Sequence, residues 1–90
     1  MNYKEIDVNS LKEKLSNNDD LILLDVRTDS EYYLSRIEGS MHIPMQLIPQ
    51  KINDLDKNKE IIVQCKSGKR SAKVCEYLLQ NDFKNVKNLA

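Results

Sequence analysis

The residues whose types and spacing could support catalysis surround Cys65, which follows an apolar run. The β-branched residues 61–63 and then Gln64 precede it, and a short basic loop containing Gly68 leads into a segment with helical spacing of apolar residues. This pattern predicts a strand, a loop and a helix. In a parallel α/β sheet, the carboxyl ends of the strands face the crevice in which ligands bind. Cys65 is therefore predicted to lie at the mouth of a site.

Two features of this loop favour an anionic sulfur at Cys65. The five backbone N–H groups from Lys66 to Arg70 can curl around the sulfur, and the following helix points its N-terminus toward it. A cysteine pKa, about 8.5 in unstructured peptides, falls at helix N-termini and beside Lys or Arg. Three cations, Lys66, Lys69 and Arg70, exceed what one thiolate needs, which predicts a nucleophilic cysteine with an anionic substrate. A strand-end packing cysteine beside a solvated basic turn is the alternative.

Length and composition narrow the class of protein. Ninety residues suffice for one small domain with a modest core. Fourteen basic and fourteen acidic residues give a formal net charge of zero, which argues against nucleic-acid or membrane-surface partners. Two cysteines are too few for a disulfide scaffold. Residues 1–6 lack an apolar segment of signal-peptide length, and no later run could span a bilayer. We therefore expect a cytoplasmic protein without nucleic-acid or membrane partners.

Strands and helices are predicted to alternate along the chain. A helix capped by Asn9 or Ser10 is expected, and a second helix is expected after Thr28, which forms a capping-box pattern with Glu31. The continuous apolar run 21–26 is typical of a strand buried on both faces, and we expect it to be the central strand. The other predicted elements are a short strand or arm at 3–7, a strand at 40–43 stopped by Pro44, helical spacing across 45–55 and a last strand starting at Val86. This alternation favours an α/β fold.

Two charged residues, Asp25 and Arg27, bracket the end of the predicted strand 21–26. Charged groups near the end of a sheet are usually paired or bound to the backbone. A structural role is therefore favoured over a catalytic one for both residues.

His42 and Cys75 could also do chemistry. His42 is the only histidine, and it could act as a general base or, with the two cysteines, as a metal ligand. Because no Cys-x-x-Cys pair or identifiable acidic partner supports either role, a structural histidine and no metal are expected. Cys75 follows Cys65 by ten residues, on the apolar face of the predicted helix, so a packing role is favoured over that of a resolving thiol.

Four segments of the chain together resemble a single-domain rhodanese, a sulfurtransferase of the kind that uses a cysteine persulfide. They are Leu24-Asp25-Val26-Arg27, Glu31-Tyr32, residues 37–44 and residues 62–71, in the family's order and spacing. The resemblance implies one rhodanese-like domain over residues 1–90, with a central parallel sheet of about five strands flanked by helices. Family members usually continue past the last strand with a glycine pair and a further helix, whereas this sequence ends at Leu89-Ala90.

The resemblance also implies a reaction without a cofactor. Cys65 would take a sulfane sulfur from a small anionic donor such as thiosulfate, release sulfite, and pass the sulfur to a thiol, cyanide or a sulfur-carrier protein. The residues implied to bind the donor or cradle the persulfide are Lys66, Ser67, Gly68, Lys69 and Arg70, with Arg70 either orienting the donor or anchoring the loop. Those implied to hold the framework near the site are Asp25, Arg27 and Ser71.

Two other functions are compatible with a cysteine in a basic loop. Cysteine-dependent phosphatases and arsenate reductases resemble this arrangement, but their loops place five residues between the cysteine and the arginine. Here four residues separate Cys65 from Arg70, which makes the loop small for a tetrahedral phosphate. A non-catalytic rhodanese-like binding module is the other alternative, which the presence of Cys65 disfavours.

Overall fold

The computed structural model describes residues 3–90, which form a five-stranded parallel sheet with helices packed on both faces. The strands are β1 (Lys4–Ile6), β2 (Leu21–Asp25), β3 (Met41–His42), β4 (Glu60–Gln64) and β5 (Val86–Leu89). Their order across the sheet is β1-β5-β4-β2-β3, and every neighbouring pair is parallel. The predicted α/β class with about five parallel strands is confirmed.

The central strand is β4, which pairs with β5 on one side and β2 on the other. The prediction that the run 21–26 is central was therefore wrong. β2 lies one place away from the centre, between β4 and the two-residue β3. Both β2 and β4 contain a continuous apolar run, the pattern typical of strands buried on both faces, so this pattern alone does not distinguish their positions.

The helices are α1 (Val8–Ser16), α2 (Asp29–Leu34), α3 (Ile48–Lys51) and α4 (Lys69–Gln80). Helices α1 and α2 begin within three residues of the capping residues that the sequence predicts. The N-cap of α1 is Asp7 rather than the predicted Asn9 or Ser10, because the Asp7 carboxylate accepts a hydrogen bond from the Ser10 N–H at 2.7 Å. At α2 the predicted capping box forms between Thr28 and Glu31.

The segment between β3 and β4 is more broken than its helical spacing predicts. Short 3-10 turns at Met45–Leu47 and Ile52–Asp54 flank the four-residue α3. Pro49 lies in the first turn of α3, where a missing N–H costs little. The strand predicted at 40–43 is also shorter, since only Met41–His42 pairs with β2.

The core has one layer on each face of the sheet. On one face, Ile61 and Val63 of β4 pack with Val74 and Leu78 of α4. On the other face, Ile62 packs in a smaller cluster that includes Leu11 of α1. The alternation along β4 thus fixes which side chains meet each helix.

The expectation that residues 1–6 contain no signal peptide covers Met1 and Asn2, which lie outside the described residues. From residue 3 onward, none of the helices combines the length and the apolar character that crossing a bilayer requires.

Candidate active site

Cys65 lies directly after β4, at the carboxyl edge of the sheet, and is half-buried. Its Sγ accepts hydrogen bonds from the backbone N–H of Gly68 at 3.1 Å and from that of Ser71 at 3.4 Å. Gly68 caps α4 with φ of +85°, in the left-handed region that other residues rarely adopt. This turn aims the loop and the first turn of α4 at the sulfur. The amide cradle therefore extends to Ser71, one residue beyond the predicted range 66–70.

The environment of Cys65 favours its thiolate. Partial burial raises the pKa of the thiol, but the hydrogen bond that it shares with the Ser71 hydroxyl and the hydrogen bonds from the backbone N–H groups of Ser71, Ser67 and Gly68 outweigh it. The net effect is a Cys65 pKa below the ordinary value. A thiolate is the nucleophilic form of cysteine.

Cys75 has the opposite environment. Cys75 lies on the face of α4 that packs into the core, and it is fully buried. Burial, with smaller contributions from the charges of Glu76 and Cys65, raises the pKa of its thiol to about 12. Both cysteines are free of disulfide bonds. The sulfur that can ionise and meet solvent is that of Cys65.

The three cations of the loop differ in their surroundings. Lys66 and Lys69 are exposed beside Cys65. Arg70 instead forms an ion pair with Glu31 of α2, with Nη1 2.8 Å from Oε1 and Nη2 3.0 Å from Oε2. Of the two expected roles of Arg70, this geometry corresponds to anchoring the loop.

Glu31 joins the site through Arg70, although its sequence pattern indicates only a helix cap. Hydrogen bonds from Arg70 and from the backbone N–H of Thr28 lower the pKa of Glu31 to about 2. The sequence signal was the capping-box pattern, which places Glu31 in the first turn of a helix that follows β2. Its pairing with Arg70, 39 positions away, depends on the tertiary fold.

Asp25 and Arg27 form a second ion pair beneath the loop. Asp25 is fully buried, its Oδ2 lies 2.7 Å from Arg27 Nη2, and it also accepts a hydrogen bond from the Gln64 side chain at 3.3 Å. Arg27 Nη2 donates to the Ser35 carbonyl oxygen at 2.6 Å. These contacts tie the end of β2 to the end of β4 and to the end of α2.

His42 packs against neighbouring groups at the end of β3. Its ring stacks on Tyr32 with 4.2 Å between ring centroids, and its Nε2 lies 2.8 Å from the Arg27 carbonyl oxygen. That oxygen can only accept, so Nε2 carries a proton. Within residues 3–90, no group of three or more His, Cys, Asp or Glu side chains is arranged to hold a metal ion.

Asn88 of β5 also belongs to the candidate site, although no motif in the sequence indicates it. It is 3% exposed, accepts a hydrogen bond from the Ser71 hydroxyl through Oδ1, and donates from Nδ2 to the Gly68 carbonyl oxygen at 3.2 Å. Asn88 lies two residues after Val86 in β5, so both side chains are on the buried face of the strand. A buried side-chain amide requires a hydrogen-bond partner. Its position beside the loop follows from the pairing of β5 with β4, which local sequence does not encode.

The fold and the loop together define a class of protein: a parallel α/β domain, covered by helices on both faces of its sheet, with a half-buried cysteine in a basic loop at the carboxyl edge of that sheet. Residues 7–90 match the family model for the rhodanese-like domain. The chain belongs to the rhodanese-like domain family.

Relatives agree with this assignment over nearly the whole chain. YtwF of Bacillus subtilis, provisionally named a sulfurtransferase, is 45% identical over 96% of this chain and 84% of its own. A protein of Allochromatium vinosum named sulfurtransferase is 36% identical over 94% of this chain and 79% of its own. YrkF of Bacillus subtilis, provisionally named a sulfur carrier protein, is 35% identical over 94% of this chain and 46% of its own.

A solved structure shows the same fold. The rhodanese-like domain protein from Staphylococcus aureus superimposes with a TM-score of 0.90 at 38% identity, covering 96% of this chain and 83% of that one.

Proposed function

We propose that this protein is a sulfurtransferase that carries a sulfane sulfur on Cys65 as a persulfide. The observation that carries the proposal is the half-buried Sγ of Cys65, which accepts hydrogen bonds from the Gly68 and Ser71 N–H groups at 3.1 and 3.4 Å. Backbone donors aimed at one point stabilise negative charge there, whether on a thiolate or on a persulfide. The relatives named as sulfurtransferases support the same reaction class.

The proposed reaction has two steps. The Cys65 thiolate attacks the outer sulfur of an anionic donor such as thiosulfate, the S–S bond of the donor breaks, and sulfite leaves with the electron pair. The new S–S bond makes a persulfide whose charge lies on the outer sulfur. A thiolate or cyanide then attacks that outer sulfur and releases the Cys65 thiolate.

The loop supplies the proposed binding groups. Exposed Lys66 and Lys69 attract the anionic donor, and the amides of Ser67 and Gly68 cradle the transferred sulfur. Arg70 is held by Glu31, so we assign it to anchoring the loop and to adding positive potential, not to gripping the donor. Asp25, Arg27 and Ser71, which the resemblance implies to be framework residues near the site, keep that role in this proposal.

The same geometry weighs against phosphate chemistry. Arginine recognises phosphate by donating two parallel N–H bonds, and both Nη atoms of Arg70 already donate to Glu31. A purely non-catalytic module would not need a cysteine whose pKa lies below the ordinary value.

We further propose that residues 1–90 act as one rhodanese-like domain whose acceptor is a small thiol or a sulfur-carrier protein. The name of YrkF supports a carrier protein among the partners of this kind of domain. A reducing cytoplasm suits a nucleophile that must stay free of disulfides, as both cysteines are here.

Intact-mass spectrometry tests the proposed function. Incubation with excess thiosulfate should add one sulfur atom to the wild-type protein, and dithiothreitol should remove it. Cys65→Ser should abolish the adduct, whereas the matched variant Cys75→Ala should retain it. The experiment is repeated with polysulfide and with a cysteine-desulfurase persulfide as donors. Absence of an adduct with all three donors would reject sulfur transfer at Cys65.

A further inference from the structure

Cys65, Ser71 and Asn88 form a continuous hydrogen-bonded chain beneath the loop. Cys65 Sγ lies 3.3 Å from Ser71 Oγ, and Ser71 Oγ donates to Asn88 Oδ1. Ser71 is fully buried and Asn88 is 3% exposed. Buried hydroxyl and amide groups must satisfy one another because bulk water does not reach them.

The orientation of the Asn88 amide is fixed at its other end. Its Nδ2 donates to the carbonyl oxygen of Gly68, which can only accept. The Oδ1 atom must then face Ser71, and it too can only accept. The hydroxyl of Ser71 carries a single proton, and in this arrangement that proton points at Asn88.

A consequence follows for the hydrogen bond between Ser71 and Cys65. With its proton given to Asn88, Ser71 Oγ presents a lone pair to the sulfur and can only accept the S–H proton of a neutral thiol. To stabilise a thiolate, the hydroxyl must turn its proton from Asn88 to Sγ. That turn leaves Asn88 Oδ1 buried without its donor, which carries a free-energy cost.

We propose that Asn88 is a positioning residue that competes with Cys65 for the one hydroxyl proton of Ser71, and so favours the neutral thiol over the thiolate. When Cys65 ionises, its own proton passes to solvent and the Ser71 hydroxyl rotates toward the sulfur. When a persulfide forms, the charge moves to the outer sulfur and the hydroxyl returns to Asn88. This cycle rests on the proposed function; the competition for the proton does not.

Other charged and titratable groups also act around Cys65, and the test must leave them unchanged. Arg70 and Cys75 of α4 interact with its charge directly. Glu31 of α2 and Asp25 of β2 act through Arg70. The loop lysines flank Cys65 in sequence. Neutral substitutions at positions 71 and 88 alter none of these charges.

The test is a double-mutant cycle read by the pH dependence of Cys65 alkylation. Asn88→Leu replaces the amide with an apolar side chain of similar size, and the Gly68 carbonyl keeps its second donor, the Ala72 N–H at 3.1 Å. The rate of reaction with iodoacetamide is followed on the peptide containing Cys65, from pH 5 to pH 10. The midpoint of that rate profile reports the ionisation of the thiol.

The competition predicts both a sign and a dependence on Ser71. Asn88→Leu should lower the midpoint by about one pH unit, since the freed hydroxyl then donates to the thiolate. In a Ser71→Ala background, Asn88→Leu should leave the midpoint where Ser71→Ala alone puts it.

A purely structural role for Asn88 predicts the opposite. Loss of the bond to Gly68 would loosen the cradle, raise the midpoint and do so with or without the Ser71 hydroxyl. A rise, no shift, or an equal shift in both backgrounds would overturn the proposal. Circular dichroism confirms folding, and Asn88→Ala replaces Asn88→Leu in the same cycle if the leucine variant does not fold.

The double-mutant cycle can distinguish failure of this inference from failure of the proposed function. Alkylation involves no sulfur transfer, so the expected shifts can appear even if the wild-type protein takes no sulfur from any donor. Conversely, sulfur loading of the wild-type protein with unshifted midpoints would uphold the proposed function and reject the competition.

Discussion

Arg70 and Glu31 form a bidentate ion pair, with N···O distances of 2.8 and 3.0 Å, that joins the first turn of α4 to the first turn of α2. The same carboxylate closes the capping box of α2 through the Thr28 N–H at 3.0 Å. The Glu31 side chain therefore fixes both the start of α2 and the end of the loop that follows Cys65. This connection leads to a prediction about stability at acid pH.

The contribution of Glu31 to stability should disappear at low pH. Because Arg70 and Thr28 hold the pKa of Glu31 at about 2, below the ordinary value of 4.5, the native protein binds this proton less readily than the unfolded chain does. The stabilisation is therefore complete above about pH 4.5 and is lost as the pH falls toward 2. Urea denaturation should show Glu31→Gln less stable than wild type at pH 7, with the gap narrowing below pH 4.5. The exposed Glu38→Gln is the control; a gap for Glu31→Gln that stays constant on acidification would contradict this assignment.

Donor attraction by the loop lysines should depend on salt. Replacing Lys66 and Lys69 by Ala should weaken thiosulfate loading by about three- to tenfold at low ionic strength, because exposed charges act over a Debye length of about 10 Å at 0.1 M salt. At 1 M salt that length is about 3 Å, and the variant should load almost as well as wild type. The control variant with Lys12 and Lys84 replaced by Ala has the same net charge and should load normally. Equal loss at both salt concentrations would indicate a packing effect instead.

The sequence predicts the elements and the nucleophile better than it predicts their partners. Cys65 at a strand end and the α2 capping box depend on neighbours within a few positions, so local pattern suffices for them. Local pattern does not identify the central strand, because β2 and β4 both contain a continuous apolar run. The 3-10 turns around α3 also escape prediction, since the apolar spacing there suits several helical geometries.

Two residues of the candidate site, Glu31 and Asn88, cannot be assigned to it from local sequence because their partners lie far away in the chain. Glu31 and Asn88 reach the loop from α2 and β5, at separations of 39 and 17 positions from their partners Arg70 and Ser71. The local sequence alone indicates a helix-capping residue at Glu31 and a polar strand residue at Asn88. Only the strand order brings them to the carboxyl edge beside Cys65.

Cys75 should matter for stability and not for sulfur transfer. It is fully buried in the core, and serine there would bury a hydroxyl among apolar side chains, at a cost of about 1–3 kcal/mol. Urea denaturation should therefore rank Cys75→Ser below Cys75→Ala, while both load sulfur to the same extent by mass spectrometry. Loss of loading in the stable alanine variant would instead indicate a resolving thiol.

Gly68 should be required for the reactivity of Cys65, beyond its effect on stability. Its φ of +85° costs an alanine about 1 kcal/mol, although a Cβ would meet nothing closer than 3.9 Å. The relaxing backbone would move the Gly68 N–H away from Sγ, so Gly68→Ala should raise the Cys65 pKa by on the order of half a unit and slow alkylation at pH 7. Gly39 offers a matched control, because its φ is +84° and a Cβ there would also have space. Gly39→Ala should cost similar stability in urea denaturation while leaving the alkylation profile unchanged. If both glycine variants slowed alkylation equally, the effect would come from general destabilisation and not from the amide that Gly68 directs at the sulfur.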